Sequence, residues 1–116
     1  MECDVKNVIK ITQGSKEDIL VRLSDPRTGE RFDLTPFESA KACFKNTQGT
    51  LIEKTISWPP SNPALGVVEF SLDSADTAQF DEDMSDFELE FTYTGGANKH
   101  IVIMNNALEV TERNCV

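Results

Sequence analysis

The chain's 116 residues are the usual size of one domain, and at 39% apolar and 27% charged they supply one hydrophobic core rather than two. Twenty acidic against eleven basic residues leave a net charge of −9, which repels phosphate backbones and anionic membrane surfaces and so argues against nucleic acid or membrane as a partner. No stretch approaches the roughly 20 apolar residues of a membrane span, and the opening MECDVKNVIKITQ has early acidic residues and no continuous apolar run, so no secretory signal is expected.

Taken in chain order, the predicted elements are short strands. Val8–Ile11 and Ile19–Leu23 are β-branched or aliphatic runs separated by the turn Gln13-Gly14-Ser15. Asp25-Pro26-Arg27-Thr28-Gly29 reads as a turn, and the polar stretch to Asp33-Leu34-Thr35 as further turn chemistry. Ala40, Ala42 and Phe44 then alternate with Lys41, Cys43 and Lys45, the period-two signature of a strand. Asn46-Thr47-Gln48-Gly49 turns the chain into Leu51–Ile56, which meets the proline-rich loop from Trp58 to Pro63. That loop is no central strand, because proline donates no ladder hydrogen bond.

Val67–Leu72 is the next strand. Ser74 to Phe80 breaks the alternation with better helix formers and a Ser or Asp able to cap them, predicting one helical turn near 74–80. The acidic run Asp81-Glu82-Asp83 follows. Phe87, Leu89, Phe91 and Tyr93 share one face of a strand, with Glu88, Glu90 and Thr92 on the other. Thr94-Gly95-Gly96-Ala97-Asn98 predicts a hairpin into Ile101–Met104, and Leu108–Thr111 completes the set. Seven or eight such strands predict a single all-β domain over 1–116, an antiparallel two-sheet sandwich. Its predicted core is Ile11, Ile19, Val21, Leu23, Phe44, Ile56, Val68, Phe70, Leu72, Phe87, Leu89, Phe91, Ile101, Ile103, Leu108 and Val110.

Little in the chain points to catalysis. His100, the sole histidine, lies just after the hairpin turn and reads as an exposed surface residue without zinc-ligand partners at suitable spacing. There is no G-x-S-x-G elbow and no phosphate-binding glycine loop. Cys43 reads as a half-buried strand residue whose neighbours Lys41 and Lys45 can lower its pKa. The three cysteines, Cys3, Cys43 and Cys115, are odd in number and lack metal-ligand spacing, so reduced thiols in a protein made in the cytoplasm are expected. Asp81, Glu82, Asp83 and Asp86 lack the EF-hand spacing and read as a solvated loop. No metal or cofactor is expected. The residues left for partner contact are Asp81, Glu82, Asp83 and Trp58, the last either an exposed anchor or a lid over the open end of the sandwich.

The order of these motifs resembles the N-terminal immunoglobulin-like domain of phage baseplate upper proteins and related tail-associated proteins. The resemblance begins at Ile9-Lys10-Ile11-Thr12-Gln13-Gly14-Ser15 and runs through Ile19–Leu23, Ser24-Asp25, Thr28-Gly29-Glu30 and Asp33-Leu34-Thr35. It continues in Phe44-Lys45-Asn46, Gly49-Thr50-Leu51, Gly66–Leu72 with Asp76-Thr77, and Phe87–Phe91, and so spans roughly 8–111. Pro36 stands where the pattern usually has glycine. What the resemblance implies is a non-enzymatic structural or adaptor protein of a tailed-phage virion, in baseplate, tail or fibre attachment. It would contact other virion proteins and possibly further copies of itself. The alternative expectation is a carbohydrate- or surface-binding module with Trp58 as the stacking residue.

Overall fold

Alternating side chains and glycine-marked turns give eight strands among the residues that the computed structural model describes, which are 8–25, 27–60 and 62–112. In chain order these are β1 (Ile9–Thr12), β2 (Glu17–Arg22), β3 (Phe37–Lys45), β4 (Leu51–Thr55), β5 (Val67–Leu72), β6 (Phe87–Tyr93), β7 (Lys99–Met104) and β8 (Leu108–Thr111). One helical turn, α1 (Ser74–Thr77), lies between β5 and β6, inside the segment where the alternation breaks. The carboxylate of Asp76 accepts from the backbone N–H of Asp73 at 2.8 Å and closes the start of α1. A 3-10 turn at Pro63–Leu65, which the sequence does not predict, is capped by Asn62 and ends on left-handed Gly66. At Gly66 an added Cβ would stand 2.6 Å from the Leu23 carbonyl oxygen, so this position requires glycine for space as well as for its φ of 67°.

The protein is a β-sandwich. One layer is the four-stranded antiparallel sheet β4-β3-β6-β7, and the other is the antiparallel pair β2-β5. These are the pairings of strands C′, C, F and G and of B and E in an immunoglobulin-type sandwich. The remaining pair, β1-β8, is parallel, with Ile9 opposite Leu108, so the first and last strands are neighbours. Cys3 and Cys115 lie outside the described residues. Two adjacent amides link the layers at one edge, since Ile56 donates to Ala40 in β3 and Ser57 donates to Glu69 in β5.

Phe44 marks the centre of the core. Its ring lies 5.0 Å from Phe87, 5.1 Å from Phe80 and 5.9 Å from Phe70, so it touches β6, the α1–β6 segment and the opposite layer. Such rings favour offset and tilted packing, and each adds to the burial of its own area. Of the predicted core, Ile101 and Ile103 are the exceptions. They are 42% and 45% exposed, while Val102 at 0% and Met104 at 6% are buried in their place. The hairpin sets Phe91 opposite His100 and Leu89 opposite Val102, and residues directly opposite share a face. Because Ile101 to Met104 is apolar on both faces, its composition carries no sign of this; the turn's register decides it. Tyr93, at the end of its strand, is 36% exposed although it continues the inward alternation. The core also takes in Leu34, Phe37, Ile52, Phe80, Met84 and Ala107.

The register correction has a direct test. Val102→Ala is expected to cost about 2 kcal/mol in urea unfolding, the scale of a fully buried large-to-small change. Ile103→Thr should stay within about 0.5 kcal/mol of the parent. A reversed order would show that β7 packs with its other face inward.

Candidate functional site

The acidic loop forms a corner. Asp81 Oδ2 accepts from the backbone N–H and the hydroxyl of Thr47, at 2.9 and 2.7 Å, and its Oδ1 accepts from the Asp83 N–H at 3.2 Å. Asn46 Nδ2 donates to the Gln79 carbonyl at 2.9 Å beside it. Asp81 therefore ties the β3–β4 turn to the connection between α1 and β6. The Thr47 backbone N–H, followed by its hydroxyl, holds the Asp81 carboxyl below the ordinary carboxylate range. Glu82 and Asp83 are exposed beside it. Asp86 does a related job at the β7–β8 corner, where its Oδ1 accepts the N–H of left-handed Asn106 at 2.7 Å. Among the described residues no cluster of three or more His, Cys, Asp or Glu side chains is placed to hold a metal ion.

Trp58 is half-buried and packs against the core, its indole edge-on to Phe91 with centroids 6.5 Å apart. Phe91 in turn belongs to an aromatic end of the sandwich with Phe32, Phe37 and Tyr93. His100 belongs to the same end. It is half-buried rather than exposed as its place after the hairpin suggests, stacked on Phe32 at 5.4 Å, with Phe37 at 6.1 Å. The register that buries Val102 turns His100 inward too, and its Nε2 is buried without a hydrogen-bond partner.

Cys43 is half-buried on the outer face of the four-stranded sheet, as expected, but the lysines do not depress its pKa. Burial pushes the thiol up; Lys41 opposes this, and Glu53, Glu90 and Glu88 add to the rise. Lys41 is itself ion-paired with Glu53, and Lys99 Nζ lies 2.6 Å from Glu90 Oε1.

On that outer face the exposed large apolar residues are Ile101 and Ile103 at one border and Leu51 of β4 at the other. Ile101 and Ile103 stand on β7, the outermost strand of the sheet, and alternate with the inward-facing His100, Val102 and Met104. The Tyr93 N–H bonds to the Asn98 carbonyl at 3.0 Å. In an antiparallel ladder, bonded pairs recur at every second residue. His100, Val102 and Met104 thus turn their backbone groups toward β6, while those of Lys99, Ile101 and Ile103 point outward from the sheet. β1 flanks β8 only from Leu108 onward, so β7 has no partner on this side among the described residues. The sequence pattern places Ile101 and Ile103 in the core and so misses this border; the signal that could find it is the register of the Gly95-Gly96 hairpin.

The other layer carries a cavity of about 200 Å³ lined by Ser57, Pro59, Pro60, Asn62, Leu65, Val67 and Glu69. The structure therefore does not bring Trp58 together with Asp81, Glu82 and Asp83 as one site. Trp58 and Asp81 make contacts within the fold, and the exposed apolar border of β7 has backbone groups without a partner among the described residues. No family model and no curated protein matches the chain.

These side chains set two expectations. Asp81→Asn should lower the melting temperature at neutral pH. A carboxyl held below its ordinary value stabilises above the unfolded-state pKa and loses that contribution as pH falls through the folded value. The gap between variant and parent should therefore close as pH drops below the ordinary aspartate value of 3.8, which a melting series across pH reads directly. His100→Phe should raise stability by about 1 kcal/mol, since it replaces an unpartnered buried nitrogen with carbon in an aromatic stack. Chemical unfolding of the two proteins checks it, and a loss of similar size would count against the inward placement.

Proposed function

We propose that the chain is a non-enzymatic structural or adaptor protein of a tailed-phage particle, acting in the baseplate, tail or fibre attachment through protein–protein contacts. The observation that carries the contact role is the outer border of β7, where Ile101 and Ile103 are exposed beside backbone groups that have no partner among the described residues. Native sheets guard such edges with charge, proline, bulges or cover, and an edge left open is a template for strand addition. The sequence resemblance to tail-associated immunoglobulin-like domains supports the phage setting. The sandwich supports it only as an architecture, because many unrelated functions share this fold. The acidic surface, at net charge −9, steers the protein toward basic protein surfaces and away from nucleic acid.

The test is the protein composition of purified phage particles from a host that makes this chain. Peptides of the chain are expected in the particles at a level comparable with known tail proteins. Abundant peptides in the lysate and none in the particles would contradict the reading.

A further inference from the structure

We propose that the open edge of β7 docks a second copy of this chain, β7 against β7 in antiparallel pairing about a two-fold axis at Ile101. This rests on the protein-contact reading above and names its partner and register.

The edges of the sandwich differ in how they are guarded. On β2, the Leu23 N–H to Gly66 bond fixes the ladder so that Asp18, Leu20 and Arg22 face outward, and two of these three are charged. On β4 the outward residues are Leu51, Glu53 and Thr55, with Glu53 held in its ion pair to Lys41. The β5 edge already receives the Ser57 N–H at the Glu69 carbonyl. β7 offers Lys99, Ile101 and Ile103, with charge only at one end and no proline or bulge. It is the least guarded of these edges and has the residues best suited to strand pairing.

The edge is complementary to itself. With the axis at Ile101, Ile101 faces its own counterpart, and Lys99 of each copy faces Ile103 of the other. Behind Ile103, on the same face, stands Glu88. Lys99 therefore lies between its own Glu90, 2.6 Å away, and Glu88 of the second copy, with no like charges directly opposed. Neighbouring structure selects the register. Moving the axis to Val102 would set the hairpin residue Gly96 of the second copy opposite Leu108, a place that Ile9 of β1 already fills. With the axis at Ile101, Gly96 of the second copy falls opposite Asn106, short of Ile9. Ile101 of each copy then packs beside its counterpart and Ile103 beside the stem of Lys99, and the two four-stranded sheets become one sheet of eight.

The experiment uses the 116-residue chain with Cys3, Cys43 and Cys115 replaced by serine and carrying Ile101→Cys. Residues opposed across a hydrogen-bonded antiparallel pair have Cα atoms about 5.5 Å apart, within the roughly 4.4–6.8 Å that a disulfide spans. Ile101 is 42% exposed, so the change does not threaten folding. Mild oxidation is expected to give a covalent dimer, while Leu51→Cys on β4 in the same background stays monomeric. In light scattering, the parent mass should rise with concentration from 12.9 kDa toward twice that value, and Ile103→Lys should hold it at one chain. Because each copy carries −9, added salt should favour the dimer by screening their repulsion. Equal cross-linking at both positions, or a one-chain mass at every concentration with no cross-link at 101, would overturn the proposal. Neither outcome bears on whether the chain is present in phage particles, so failure of the self-pairing is distinguishable from failure of the phage assignment.

Discussion

Phe44 sits where the two layers meet, and the rest of the sandwich is arranged around that contact. Its ring reaches Phe70 across the layers, Phe87 on the neighbouring strand and Phe80 from the segment after α1. A two-stranded layer such as β2-β5 is marginal on its own. It persists because Val21, Val68, Phe70 and Leu72 are buried in one continuous core with Phe44, Leu89 and Phe91. Burying side chains of this size contributes about 1.5–3 kcal/mol each, far more than the surface ion pairs on the outer face.

Around that core, polar side chains fasten the corners. Thr77, fully buried, donates its hydroxyl to the Ser15 carbonyl at 2.6 Å, and Gln13 Nε2 donates to the Phe80 carbonyl at 2.7 Å. These two bonds hold the β1–β2 turn against α1 and the segment after it. Asp81 and Asp86 fasten two further corners. The acidic stretch that looks like an ion-binding or partner loop thus spends two of its carboxylates on backbone N–H groups, which is the ordinary work of Asp in turns.

Much of this architecture is legible in the amino-acid sequence. The strict alternation from Phe87 to Tyr93 and the glycines of the 94–98 turn locate β6 and its hairpin, and β5 and β8 fall where their β-branched runs lie. Features set by register are not legible in that way. Ile101 to Met104 is apolar at every position, so only the pairing with β6 shows that Val102 and Met104 go in and the isoleucines go out. His100 follows the same rule, and its inward turn is hidden for that reason. Phe80 and Met84 sit in irregular chain, where no period announces burial. Trp58 reads from sequence as either anchor or lid, and in the structure it is half-buried with its indole edge-on to Phe91.

The same alternation that builds the core leaves its mark on the border of the sheet, because the residues that turn outward on β7 are also those whose backbone groups lack a partner among the described residues. Amide hydrogen exchange along β7, measured by NMR at low and at high protein concentration, tests this most directly. Amides of His100, Val102 and Met104 are expected to exchange slowly at both concentrations, and those of Ile101 and Ile103 to be fast when dilute and slow when concentrated. Slow exchange of Ile101 and Ile103 in dilute solution would mean that the edge is already covered, and fast exchange at every concentration would mean that no second copy pairs with it.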